Sequence, residues 1–313
     1  MRNILIAGGA GFIGSHLTEA HLSLGDHVVV VDNLSTGNTR NLGNLTESEH
    51  LDFCLADIRH KLIGLPNLDV IYNLASPASP PAYQAGRTRC LQTNSIGVQN
   101  LAELAHSHQA RLVQASTSEV YGSPLVHPQK EDYWGNVNPI GDRSCYDEGK
   151  RYAEAYLMAH KHENDTNVGI VRIFNTYGPH MSPYDGRVIS NFIRQSLQGE
   201  DITIYGDGTQ TRSFCFVSDL VRGLMLMGES TATGPVNLGN PTERTVLDAA
   251  EVIIKLTNST SRVVEKPLPS DDPVKRKPDI SAAKEILGWS PEMPFIDGVR
   301  ETIRWFNQEG YGN

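Results

Sequence analysis

Residues 3–32 read NILIAGGAGFIGSHLTEAHLSLGDHVVVVD, and their order decides the fold. Asn3 to Ala7 is a short apolar run, the pattern of a strand buried on both faces. It passes directly into three glycines spaced G-x-x-G-x-x-G, at Gly8, Gly11 and Gly14. The first allows a tight turn off the strand, the second lets backbone approach a pyrophosphate, and the third lets a helix pack close to the sheet. Leu17, Ala20, Leu22 and Leu24 then give a roughly helical apolar stripe that stops at Gly25. A second apolar run, HVVVV, ends at Asp32. Strand, glycine turn, helix, strand and acidic residue follow in the order of a βαβ dinucleotide-binding unit. Phosphate charge would meet the backbone N–H groups at the helix start. Asp32 suits the ribose hydroxyls and would repel a 2′-phosphate, which favours NAD over NADP.

More alternation follows outward from this unit. HLDFCLAD (50–57), DVIYNLAS (69–76), RLVQAST (111–117) and VGIVRIFN (168–175) read as further parallel strands, with helices expected at 88–108 and 146–162. The fold class is therefore α/β: a Rossmann-like, doubly wound parallel sheet. Ligands bind such sheets at the carboxyl ends of the strands. Those ends are Asp32, Asp57, Ser76, Thr117–Glu119 and Asn175. After Asn175 the alternation loosens into TYGPHMSPYDGR, which suits a smaller C-terminal substrate-binding lobe. We therefore expect a NAD-binding domain over 1–175 and the lobe over 176–313. A stretch at about 213–240 is expected to return to the first domain.

Composition narrows the function. The chain has 313 residues, 39% apolar and 20% charged, with a net charge of −9, which argues against a nucleic-acid partner. The basic run KRK at 275–277 is too short to change that. Cys54, Cys90, Cys145 and Cys215 lack CxxC spacing, so neither a zinc site nor a disulfide framework is expected. No apolar stretch reaches the length of a membrane span and no signal peptide is apparent, so a cytoplasmic location is expected.

Within CYDEGK, Tyr146 and Lys150 stand four apart, one turn on a helix. Beside the strand end at Thr117, Tyr146 can act as general base on a substrate hydroxyl. Its ordinary pKa near 10 is too high for that task. A lysine charge about 4 Å away is worth roughly 4 kcal/mol at an effective dielectric of 20, about three pKa units. Thr117 can orient the same hydroxyl. The set suits hydride chemistry at a carbinol carbon.

GGAGFIG, the LAS after the fourth strand, STSEVYG and YxxxK together resemble the extended short-chain dehydrogenase/reductase family acting on nucleotide sugars. LASPASPP, EDYWGNVNPIG, CYDEGKR, RIFNTYGP, DGRVISNFI, VNLGNP and RKPDI resemble the UDP-glucuronic acid decarboxylases in particular, from about residue 2 to residue 307. The resemblance implies a catalytic set of Thr117, Ser118, Glu119, Tyr146, Lys150 and Arg276. For the cofactor it implies Gly8, Gly11, Phe12, Ile13, Gly14, Asp32, Asn33, Asp57, Ile58, Leu74, Ala75, Ser76, Thr93, Thr176 and Arg187, with Tyr146 and Lys150 shared. For the substrate it implies Glu119, Asn175, Asn191, Tyr205, Arg212 and Arg276. Arg187 is then expected near the cofactor, Arg212 on the nucleotide and Arg276 near the sugar carboxylate; arginine's planar fork suits all three. A homodimer is implied through the helices at 88–108 and 146–162. Leu101, Leu104, Ala153 and Leu157 would lie either on that seam or in the sheet-facing core.

The implied reaction oxidises C4 of UDP-glucuronic acid with NAD, loses carbon dioxide from the resulting β-keto acid, and returns hydride to C4. Glu119 would position the sugar ring or serve proton movement at C5. Related 4,6-dehydratases carry Asp where this chain has Ser118, as the acid that eliminates a C6 hydroxyl. One residue departs from the pattern: Gln92 stands where these decarboxylases usually carry Lys, and Arg89 is the nearest charge that could compensate. The alternative enzyme is a sugar-nucleotide 4-epimerase or 4,6-dehydratase. A cofactor-sensing protein without turnover is a third reading, opposed by the retention of Thr117, Tyr146 and Lys150.

Overall fold

The structure is a computed structural model that describes residues 1–267 and 275–311. The first half lays down β1 (Asn3–Ala7), α1 (Phe12–Ser23), β2 (His27–Asp32), β3 (Leu51–Leu55) and β4 (Val70–Asn73). Three helices, α2 (Pro80–Ala85), α3 (Arg87–Asn94) and α4 (Ile96–His108), lead to β5 (Arg111–Thr117). α5 (Ser144–Asn164) leads to β6 (Val168–Ile173). Next come β7 (Thr176–Tyr177), α6 (Val188–Leu197), β8 (Ile202–Tyr205), β9 (Thr211–Ser213) and β10 (Cys215–Phe216). α7 (Val217–Glu229), β11 (Val236–Leu238), β12 (Glu243–Thr245) and α8 (Val246–Thr257) follow. The last elements are β13 (Val263–Lys266), β14 (Lys275–Arg276), α9 (Ser281–Leu287) and α10 (Phe295–Gln308).

Seven strands form one sheet in the order β11-β6-β5-β4-β1-β2-β3, every pair parallel. Alternation explains why β1 and β2 are apolar throughout. Ile4, Ile6, Val28 and Val30 belong to the core on one face, and Leu5, Ala7, Val29 and Val31 to the core on the other. The strand order reverses between β1 and β4, and the crevice at that point opens at the carboxyl ends.

Two sequence expectations change in detail, the helix at 88–108 and the returning stretch at 213–240. The helix expected at 88–108 is two helices, broken at Ser95 (φ −113, ψ −78). Beside the break, the Asn94 side chain donates to Ser76 Oγ at 2.9 Å and to the Cys90 carbonyl at 3.0 Å. On the far side Gly97 abuts Ile58, where a Cβ would stand 2.6 Å from its Cδ1. β3 is the sheet edge, which leaves Phe53 and Leu55 exposed. The stretch expected at 213–240 divides: β11 lies beside β6 in the large sheet, β10 pairs with β7, and Ser213 ends β9. β9 joins a three-stranded sheet with β12 and β14, and β8 pairs with β13. Among the described residues, no helix is long and apolar enough to cross a membrane.

Candidate active site

A cavity of about 950 Å³ lies over the carboxyl ends of the strands, and every site residue singled out from the sequence borders it. At its floor the chain turns at Gly8, whose φ of +82° suits glycine. A Cβ on Gly14 would stand 2.1 Å from the Gly8 carbonyl oxygen, so only glycine lets α1 approach β1 this closely. Gly11, Phe12 and Ile13 form the start of that helix along the cavity wall. The cradle fits a pyrophosphate, because side chains are absent where the backbone must come close.

At the ends of β2 and β3, Asp32 accepts from the backbone N–H of Ala10 at 3.1 Å and of Leu34 at 2.8 Å. Burial holds its carboxyl above the usual range, against those two donors. Asn33 donates to Asp57 Oδ2 at 2.8 Å. The Arg59 fork grips Asp57 at 3.0 and 2.8 Å and holds its carboxyl well below the usual range. Ile58 and Thr93 stand on this side of the cavity, and Leu74, Ala75 and Ser76 follow β4.

Gln92 does not border the cavity. Its Oε1 accepts from Arg59 Nη1 at 3.1 Å, which links it to Asp57. Arg89, one turn before Thr93 on α3, does border the cavity.

β5 ends at Thr117, whose hydroxyl accepts from the Glu119 N–H and starts a short 3-10 turn over Ser118–Tyr121. α5 crosses beside it and brings Tyr146 and Lys150 to the same wall, both buried. The Lys150 ammonium donates to the Ala115 carbonyl at 2.7 Å and lies 5.8 Å from the Tyr146 ring centre. Burial lowers Lys150 to about 8. Burial also pushes Tyr146 above its ordinary value, against hydrogen bonding with Thr117. Burial of the phenol thus sets the direction of the Tyr146 shift in the chain by itself, and the large downward shift expected beside Lys150 does not occur. Tyr83 stacks on Tyr146 with ring centres 5.3 Å apart, within a small cluster that includes Cys90 and Cys145.

Glu119 is gripped from two sides. Its Oε1 accepts from Arg276 Nη1 and its Oε2 from Arg143 Nη2. Burial alone would raise this carboxyl; Arg276 and Arg143 outweigh burial and hold it down at about 2. Arg276, expected near a sugar carboxylate, is thus already committed to Glu119 and to the Gly122 carbonyl, while its Nε has no partner. Arg187 donates to the Ala78 carbonyl at 2.9 Å and pairs with Asp185 at 3.2 Å. Asn175, Thr176, Asn191, Tyr205 and Arg212 complete the wall on the lobe side. Arg143, Arg187, Arg212 and Arg276 all border the cavity, and guanidinium groups suit an anionic ligand.

Five buried side-chain atoms among the described residues lack a hydrogen-bond partner. Tyr83 Oη and Arg276 Nε belong to cavity residues, as does Asp185 Oδ1, which faces the Arg187 guanidinium at 3.2 Å; Asp147 Oδ1 belongs to the neighbour of Tyr146. Unpaired buried polar atoms are costly, and four of these five belong to residues of the cavity wall or their chain neighbours. Sequence reasoning missed Tyr83, Arg143 and Asp147. Arg143 carried a weak signal as the cation just before the Tyr–Lys helix; Tyr83 and Asp147 carried none.

Comparison with known proteins agrees with this geometry. The profile of the NAD dependent epimerase/dehydratase family matches residues 4–239. UDP-glucuronic acid decarboxylase 1 of Danio rerio is 50% identical over 308 residues, 98% of this chain and 73% of that protein. UDP-glucuronic acid decarboxylase 4 of Arabidopsis thaliana is 48% identical over 312 residues, 99% of this chain and 70% of that protein. Among solved structures, UDP-glucose 4-epimerase of Thermotoga maritima with UDP-glucose superposes with a TM-score of 0.91 at 30% identity, covering 98% of this chain and 99% of that one. UDP-glucuronic acid 4-epimerase of Bacillus cereus, in complex with UDP-glucuronic acid and NAD, superposes with a TM-score of 0.86 at 27% identity, covering 98% and 99%. With its glycine cradle, Tyr–Lys wall and parallel sheet, the chain belongs to the NAD dependent epimerase/dehydratase family.

Proposed function

We propose that the chain decarboxylates UDP-glucuronic acid to UDP-xylose. The observation that carries this reading is the pair of arginines converging on Glu119 beside Tyr146, with Arg276 Nε buried and unpaired. Arginines beside the catalytic tyrosine suit a sugar that carries a carboxylate. The decarboxylase relatives at 48–50% identity support the same substrate.

NAD, when bound, accepts hydride from C4 of the sugar and returns it at the end of the cycle. The chain's own residues do the rest. Thr117 orients the C4 hydroxyl, and Tyr146 takes its proton and later gives one back. Lys150 keeps a positive charge near the phenolate. Arg276 holds the sugar carboxylate until the C5–C6 bond breaks, when the bonding electrons pass into the C4 enolate and carbon dioxide leaves. Protonated Tyr146 donates a hydrogen bond to that enolate oxygen. Glu119 keeps Arg276 in place and orients the ring. Ser118 offers no acid for loss of a C6 hydroxyl, and this substrate has none. Arg212, Tyr205 and Asn191 hold the nucleotide portion, and Arg187 lies toward the cofactor. Residues 1–175 serve as the NAD-binding domain, with the lobe over 176–313.

We further infer a homodimer in the cytoplasm. Leu101, Ala153 and Leu157 are buried in the sheet-facing core and Leu104 packs against it, so they leave the seam. Leu91, Ile96, Tyr152 and Met158 lie exposed on α3, α4 and α5 and are the apolar residues such a seam would cover.

Proton NMR of the protein incubated with UDP-glucuronic acid and NAD tests the reaction. C5 methylene signals without accumulating NADH are expected. Formation of UDP-galacturonic acid would instead favour a 4-epimerase, the activity named for the Bacillus cereus structure.

A further inference from the structure

Two walls of the cavity carry the two halves of the reaction. Tyr146 and Lys150 on α5 serve the hydride chemistry at C4, and Arg276 with Glu119 serves the carboxylate that leaves C5. The walls come from α5, from the turn after β5 and from β14, so no local stretch of chain sets one against the other. A buried polar network behind the cavity does. On α5, Glu154 lies one turn beyond Lys150, and Arg172 of β6 grips its carboxylate at 3.0 and 2.7 Å. Ser116, the residue before Thr117, donates to the same carboxylate. Through Nη1 the Arg172 fork also reaches the Tyr121 hydroxyl at 3.0 Å, and Tyr121 is the last residue of the turn that holds Glu119.

The same hydroxyl donates to Asn237 Oδ1 on β11 at 2.7 Å. The Asn237 amide donates in turn to the Gln129 and Asp279 carbonyls, both at 3.1 Å. Gln129 and Lys277 exchange two more bonds: the Lys277 N–H donates to Gln129 Oε1 at 2.8 Å, and the Gln129 N–H to the Lys277 carbonyl at 2.9 Å. Lys277 follows Arg276 in the chain, so the segment that carries Arg276 is tied through one phenolic oxygen to the helix of Tyr146 and Lys150. Tyr121, Gln129 and Asn237 are each 0% exposed. Apolar side chains often stabilise such a site as well; what a satisfied polar network adds is one fixed arrangement of the elements it joins. Resting on the decarboxylase reading, we propose that Tyr121 is a positioning residue whose hydroxyl, by joining Arg172 to Asn237, registers Arg276 against Tyr146 and Lys150. Hydride transfer needs the α5 wall with Thr117. Cleavage of the C5–C6 bond needs both walls at once, because the carboxylate is held at Arg276 while its electrons pass into an enolate held by Tyr146. A misplacement of about 1 Å can cost about 10²-fold in rate, so the hydroxyl matters more for the second step than for the first.

Tyr121→Phe removes that oxygen and keeps the ring against Phe174 and the Arg172 guanidinium. NAD-loaded protein is mixed with UDP-glucuronic acid labelled at its carboxyl carbon, and nicotinamide absorbance and labelled carbon dioxide are followed together. NADH formation should stay within about threefold of the unaltered protein while carbon dioxide release slows by about tenfold or more, so that NADH builds up with the 4-keto acid. Arg172→Lys, which loses the fork spanning Glu154 and Tyr121, should give the same signature and serves if the phenylalanine variant does not fold. Slowing of both steps by one factor, as a merely loosened fold would give, would overturn the proposal. So would slowing of oxidation alone, or no change in either step. Product NMR on the unaltered protein separates the two readings. UDP-xylose formation together with equal slowing in the variant overturns the Tyr121 role alone, whereas no UDP-xylose from the unaltered protein overturns both.

Discussion

Arg276 reaches across 157 residues of chain to donate to the carboxylate of Glu119. The strand that carries it, β14, is two residues long and pairs with β9, opposite Arg212. A buried ion pair is therefore built by a small sheet of the C-terminal half meeting a turn at the end of β5. Removing either partner leaves the other charge uncompensated.

Arg276→Leu is expected to lower kcat/KM for UDP-glucuronic acid by about 10²-fold or more, with several kcal/mol of stability lost as Glu119 is stranded. Arg276→Lys should rescue poorly, since an ammonium cannot reproduce the fork to Glu119 and Gly122. Steady-state kinetics and thermal melts of both variants check this. Full activity in the lysine variant would contradict it.

Glu119 is held below its unfolded value, so the stability it contributes is present above about pH 4.5 and is lost as pH falls toward about 2. Glu119→Gln protein should therefore lose less stability than the unaltered protein over that window. Denaturant midpoints at several pH values measure the difference. Parallel curves would rule out the ion pair as the source.

Lys150 shifts in the same direction, over a higher pH window. Its folded value of about 8 lies below the unfolded one of 10.5, so stability is lost as pH falls from about 10.5 toward about 8, and at pH 7 the buried charge destabilises the fold. Lys150→Met should melt higher at neutral pH while activity falls by about 10²-fold or more. A variant that is both inactive and less stable would show that the ammonium's bond to the Ala115 carbonyl matters more than its burial.

Gln92→Lys puts a second cation beside Arg59 without entering the cavity. KM for UDP-glucuronic acid should change by no more than about threefold. NAD affinity should weaken instead, because Arg59 organises Asp57 and Asn33. Separate titrations with the two ligands distinguish these outcomes. A selective gain for the substrate would place residue 92 in its site after all.

Much of the site was legible because its parts sit at strand ends. Asp32, Ser76 and Thr117 could be named before any coordinates, since an apolar run must stop where the chain leaves the sheet. Tyr146 and Lys150 were legible from helical spacing, and the remaining contacts came from resemblance. Tyr83 was not legible: it lies on a six-residue helix with no periodic signal, and only packing stacks it on Tyr146. The break at Ser95 was missed because the apolar pattern of α3 and α4 runs through it, whereas Asn94 and Gly97 answer to Ser76 and Ile58 on other elements.

The sequence by itself determined the βαβ start, the parallel sheet, the glycine cradle and the Tyr–Lys pair, because each depends on local periodicity or on residues a few positions apart. Only tertiary structure decided the electrostatics. It set Arg276 and Arg143 on Glu119, directed Gln92 to Arg59, and buried Tyr146 and Lys150. The physical reason is that a group's charge state depends on burial and on neighbours from distant parts of the chain, which no local pattern records.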